Sequence, residues 1–205
     1  MGQDSFDFRE VATVAVAVLI ALTFHEFAHG YAAFRLGDDT AAKRGRLTLN
    51  PLKHIDLVGT LILPVLMIVA QAPFVIGWAK AMPVRPGALR NPKRGMSLVA
   101  AAGPLMNLAL AVPFGVLFYL TRRFEGPAWL TQALGICGAT NLLLGAFNLL
   151  PLPPLDGSKV VAGFLPDRWA KRYLALGKFG ALTLLLYLAG LMIAGAIVAA
   201  IRAHL

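Results

Sequence analysis

The chain has 205 residues, of which 58% are hydrophobic and 14% charged, and its mean hydropathy is +0.71. An average soluble domain carries roughly 45–50% apolar and roughly 25% charged residues, so a disordered chain is excluded and a soluble globular enzyme disfavoured. The 19 Lys and Arg against 10 Asp and Glu give a net charge of +9. In a chain this apolar, that excess reads as a signal of membrane orientation rather than of nucleic-acid binding. The single cysteine, Cys137, excludes an internal disulfide and any cysteine-based metal site.

The leader MGQDSFDFRE holds three acids and one base, which does not fit a secretory signal. Phe6 stands where a myristoylation site needs Ser or Thr. Five stretches then lack Asp, Glu, Lys and Arg: 15 residues after Glu10, 23 after Asp56, 27 after Arg94, 30 after Glu125 and 23 after Lys178. A spanning helix needs roughly 20 apolar residues. The first stretch reaches that length because its apolar pattern continues past Glu26 and His29, which predicts a helix over 11–36 stopped by Gly37. Residues 37–56 read as a polar loop with a short strand at 46–49. Residues 57–79 are apolar but interrupted by Gly59, Pro64, Pro73 and Gly77. Residues 80–94 are proline-rich and basic, hence non-helical. Spans are expected at 95–121 and 130–150, an interfacial helix at 157–178 and a last span at 179–203. Together these give an all-α, polytopic membrane bundle in a single domain over 1–205. It has about four spanning helices, one re-entrant segment at about 57–79 and short extended pieces near the site. The core covers about 11–160.

The first helix ends in Phe24-His25-Glu26-Phe27-Ala28-His29. This is H-E-x-x-H, and on a helix its two histidines share a face and can reach one ion. Zinc lowers the pKa of a bound water to about 7, and the Glu26 carboxylate can take the proton as general base. Three ionisable groups at the end of a membrane helix each cost about 2.5–3.5 kcal/mol at mid-bilayer unless they have a partner or a function. A catalytic zinc usually takes three protein ligands. His54 lies in a loop and His204 in the tail, so the better third candidate is Asp156, in NLLPLPPLDG. Pro151, Pro153 and Pro154 break the helix there and free its carbonyls, as happens where backbone lines protein or a watery cavity. Asn148, one turn before the break, is a donor placed to hold a substrate carbonyl or oxyanion.

HEFAH in one membrane helix and NLLPLPPLDG at the end of a later one resemble the site-2 protease family, peptidase family M50. LTLNPLKHIDLVGT, GWAKAMPV and AAGPLMNL extend the resemblance over most of residues 15–160. It is closest to the compact prokaryotic branch, and no PDZ or CBS domain is expected. The resemblance implies an intramembrane zinc metalloendopeptidase, with one zinc held by His25, His29 and Asp156 and Glu26 as catalytic base. Asn148 matches an asparagine near the family's active site. Gly103 and Asn107 match its G-x-x-x-N element, with close helix packing as the alternative reading. The resemblance assigns no role to His54.

Topology constrains the site. Loops 35–56, 80–94 and 157–178 carry 15 of the 19 bases, which places them in the cytoplasm. The histidines and Asp156 then meet near the cytoplasmic face, provided that residues 57–79 do not cross the membrane once. Twenty-three residues cannot cross it twice, so a re-entrant or half-membrane path is expected, with an extended piece at 74–78 whose edge could pair with an unwound substrate strand. The expected partners are a transmembrane protein substrate and the lipid bilayer of a prokaryotic plasma membrane, not nucleic acid. Oligomeric state and substrate identity are not legible. The competing readings are an inactive homologue that binds membrane helices and a zinc carrier. The intact H-E-x-x-H opposes the first, and the absence of a carboxylate ladder in 95–121 and 130–150 opposes the second.

Overall fold

A computed structural model describes residues 8–70 and 77–180. The expected last span at 179–203 falls almost wholly outside the described residues, and so does most of the extended piece at 74–78. Among the described residues the chain is helical. In order, α1 is Phe8–Arg35, α2 is Thr40–Lys43, α3 is Leu63–Val69, α4 is Pro92–Arg123, α5 is Ala128–Asn148, α6 is Asp156–Ala162 and α7 is Asp167–Ala175.

Three of these, α1, α4 and α5, are long and apolar enough to cross a membrane. Each packs against the other two. What they bury is the reverse of a soluble core. Ala17, Ala21, Ala28, Ala33 and Ala100 are buried together with His25, Glu26, His29, Asn107 and Asn141. Val16, Leu98, Leu105, Val112, Leu142 and Leu143 face outward. Small side chains let the helix backbones approach, and large apolar ones meet lipid, which gives no hydrophobic reason to hide them.

The helix ends follow local rules. Gly37, at φ +110°, closes α1 in a paired turn: its N–H donates to the Phe34 carbonyl at 3.1 Å and the Asp38 N–H to the Ala33 carbonyl at 2.9 Å. Pro92 opens α4 at the first helical position, where its missing N–H costs nothing, and the Asn91 side chain accepts the Arg94 N–H at 3.2 Å.

Apolar helix also runs over Leu57–Val69, beginning as a wide π-helical turn. At about 1.5 Å per residue it is about 20 Å long, short of the roughly 30 Å hydrocarbon core. This agrees with a segment that enters the membrane part-way. The expected strand at Arg46–Leu49 is not formed. Residues 47–49 are bends, with the Thr48 N–H donating to the Arg46 carbonyl at 3.0 Å, and among the described residues no neighbouring strand offers them a ladder. The expected interfacial helix at 157–178 is split into α6 and α7. Pro166 cannot continue α6, and it begins a new helix instead. On α7, Arg168, Lys171 and Arg172 accompany an exposed Trp169, a pairing suited to the membrane surface.

Residues 77–85 have no regular structure, yet they are tied at several points. The Trp78 N–H donates to the Gly59 carbonyl at 3.1 Å and the Lys80 N–H to the His54 carbonyl at 2.9 Å. Arg46 Nη2 donates to the Lys80 carbonyl at 2.7 Å. Buried Asp38 accepts the Arg85 N–H at 2.6 Å and, on its other oxygen, both the N–H and the hydroxyl of Thr40. Burial opposes ionisation of the Asp38 carboxyl, but these hydrogen bonds outweigh it and hold the group below the usual carboxylate range. The segment is thereby laid against the end of α1 that carries the histidines.

Candidate metal centre

The H-E-x-x-H motif lies on α1 as expected, and Asp156 is the first residue of α6. The fold brings the three together. Asp156 Oδ2 is 3.1 Å from His25 Nε2 and 2.9 Å from His29 Nε2. The two Nε2 atoms are 3.0 Å apart. All three residues are buried.

Hydrogen bonds behind the imidazoles decide which ring nitrogens face the centre. Asn107 Nδ2 lies 2.9 Å from the Ala21 carbonyl and 2.9 Å from Asn141 Oδ1, both acceptors, so the amide orientation is settled. Asn107 Oδ1 therefore accepts, and the His25 Nδ1 that faces it at 2.6 Å carries the hydrogen. His29 Nδ1 faces the Val99 carbonyl at 2.6 Å and also donates. Both neutral rings then present Nε2 lone pairs inward, toward a carboxylate oxygen. Three acceptors within about 3 Å of one another have no donor among them, and only a cation reconciles them: a proton in the bare site, a metal in the loaded one. Two imidazole nitrogens and one carboxylate oxygen form the donor set of a catalytic zinc with its fourth position open. Tetrahedral ligands at about 2.0–2.1 Å from zinc stand about 3.3 Å apart, close to the spacings found. The residues fit the ion.

The two oxygens of Asp156 are used differently. Oδ2 faces the imidazoles, and Oδ1 accepts from Lys159 Nζ at 2.8 Å. Glu26 is buried beside the triad in sequence, and its Oε2 accepts the Met82 N–H at 2.7 Å. That leaves Oε1 for chemistry.

Gly103 and Asn107 both lie at this centre. Asn107 is fully buried and orients His25. A Cβ at position 103 would lie 2.8 Å from His25 Nε2 and closer still to His29 Nε2. Close helix packing and site construction are here one thing. Gly103→Ala is therefore expected to lower zinc affinity and peptidase activity at least about tenfold with helix content unchanged, since displaced ligands cost about 10–100-fold. Zinc titration beside circular dichroism checks it.

Asn148 is not drawn into the cluster. It is half-buried, and its Nδ2 donates to the Leu144 carbonyl in its own helix at 3.0 Å. His54 is buried away from the triad, with Nε2 donating to the Thr48 carbonyl at 2.8 Å. Sequence reasoning missed Lys159, Met82 and Asn141. Only Lys159 left a signal: it stands three residues after Asp156, one helical turn on. Met82 acts through its backbone, which no side-chain pattern reveals.

Comparison with known proteins agrees with this centre. Residues 125–188 match the model of peptidase family M50. The chain is 40% identical over 159 residues to "Putative zinc metalloprotease YwhC" of Bacillus subtilis, covering 75% of this chain and 69% of that protein. It is 42% identical over 144 residues to "Putative zinc metalloprotease Rip2" of Mycolicibacterium smegmatis, covering 68% and 52%. Against Rip2 of Mycobacterium tuberculosis strain H37Rv it is 36% identical over 172 residues, covering 83% and 63%. The chain thus spans about half to two thirds of the two mycobacterial relatives. No solved structure matches it significantly. With its apolar spanning helices and a zinc-type donor set, the chain is an integral membrane protein that belongs to peptidase family M50, the site-2 protease family of zinc metalloproteases.

Proposed function

We propose that the chain is an intramembrane endopeptidase that hydrolyses peptide bonds within or near the transmembrane helices of membrane-protein substrates. The observation that carries this reading is the buried convergence of His25 Nε2, His29 Nε2 and Asp156 Oδ2 at the end of a membrane helix, with Glu26 one residue away in the chain. His25, His29 and Asp156 would hold zinc, which when bound supplies a Lewis acid for the scissile carbonyl and for water. Glu26 Oε1 takes the proton of the attacking water and returns it to the departing amine. The Met82 N–H keeps the other carboxylate oxygen in place. Asn148 Nδ2 has one hydrogen committed to Leu144, and its second is free to donate to a substrate carbonyl. A substrate helix has to unwind first, because its carbonyls are already hydrogen-bonded. The distribution of bases supports a centre near the cytoplasmic face of a prokaryotic plasma membrane, with water reaching it from that side.

The test uses the purified protein in detergent and a single-span model peptide with a Gly-Pro pair at its midpoint. Cleavage is expected to stop on chelation and to return with one equivalent of zinc. Cleavage that persists in metal-free protein overturns the reading.

A further inference from the structure

Behind Asp156 stands a cation, the Lys159 ammonium, that the triad and its base do not account for. Among the described residues, Lys159 is the cationic side chain that hydrogen-bonds a proposed zinc ligand, and it takes the oxygen that the histidines do not face. It arrives there through helix geometry: Asp156 opens α6, and a residue three positions on returns to the same face. Its side chain is 38% exposed, whereas that of Asp156 is 10% exposed. The exposed part lines a cavity of about 750 Å³ shared with Lys93, Lys171 and Asp167. Lys93 is committed elsewhere, to Asp167 at 2.8 Å.

We propose that Lys159 is a positioning residue for the metal centre, which holds Asp156 as a one-oxygen ligand. This rests on the reading of His25, His29 and Asp156 as zinc ligands. A carboxylate can grip zinc with one oxygen or with two. The Lys159 ammonium occupies Oδ1, so Oδ2 alone faces the imidazoles, and the remaining coordination positions stay open for water and substrate. The same ammonium offsets the ligand's negative charge. Without it, Oδ1 loses its partner in a buried setting and the carboxylate is free to rotate.

The experiment compares wild type, Lys159→Met, Lys159→Arg and Lys93→Met in detergent. Zinc affinity is measured by competition with a chromophoric chelator, and cobalt(II) replaces zinc for absorption spectra. Lys159→Met is expected to weaken zinc binding about 10–100-fold. Its cobalt d–d bands are expected to lose intensity as a second carboxylate oxygen raises the coordination number. Lys159→Arg, which keeps the charge and a donor, is expected to restore most of both. Lys93→Met breaks an ion pair on the same cavity but touches no ligand, and it is expected to match wild type. Wild-type affinity and spectrum in Lys159→Met overturn the proposal, as does an equal loss in Lys93→Met. If Lys159→Met does not fold, Lys159→Arg decides alone, since a shifted cobalt spectrum there removes the case for a charge-held carboxylate. Wild type that binds no zinc at all overturns the metal reading itself, which is a separate failure.

Discussion

Glu26→Gln is expected to lower kcat about 1,000-fold or more while the protein still binds one zinc per chain. General-base catalysis contributes about 10²–10⁴-fold in rate, and here no second base stands next to the histidines in the motif. The substitution is a clean one. The glutamine carbonyl can still accept the Met82 N–H that Glu26 accepts at 2.7 Å, so the local backbone has no reason to move. What is lost is the carboxylate's ability to take a proton. Single-turnover cleavage of the model peptide, measured beside metal content, separates chemistry from metal loss. Full activity in Glu26→Gln would rule out the assigned base. Loss of zinc along with activity would mean that the carboxylate helps to hold the ion.

Asp156→Ala is expected to have the opposite signature, with zinc content falling from one per chain to a small fraction and activity lost as a consequence. Removing one of the three proposed ligands leaves two imidazoles whose Nε2 atoms are 3.0 Å apart and nothing anionic to balance the ion. It also strands the Lys159 ammonium beside the site, where its positive charge repels the metal. Asp156→Asn keeps the shape and an oxygen but not the charge, so intermediate zinc binding is expected. Metal analysis of the purified variants, with thermal unfolding as a check on folding, gives the answer. Stoichiometric zinc in Asp156→Ala would exclude it as a ligand.

Much of this centre was legible in the chain because it rests on local regularities. H-E-x-x-H needs only the helical period to put His25 and His29 on one face. Gly37, with its left-handed φ, could be named as the stop of α1 because only glycine takes that conformation without cost. Asn91 and Pro92, by contrast, read in sequence as part of a non-helical loop reaching to residue 94, whereas they cap and open α4. The short strand at 46–49 failed for the complementary reason. A strand is defined by a neighbour, and alternation within four residues says nothing about whether one is present. The split between α6 and α7 was signalled by Pro166, which a count of apolar and basic residues passes over.

Composition, charge and spacing by themselves pointed to a chain that lives in a membrane and carries a zinc-type motif of one family, and they set the expectation for which side its loops favour. These are properties of single segments, set by hydropathy and by the 3.6-residue turn. Tertiary structure alone decided that Asp156 meets the histidines 127 and 131 residues away. It also decided that Asn107 and Val99 fix the ring tautomers, that position 103 has no room for a Cβ, and that Lys159 claims the second carboxylate oxygen. Each of those depends on which helices cross and how closely. In a membrane bundle that is settled by the packing of small residues and buried hydrogen bonds, for which sequence order carries no local sign.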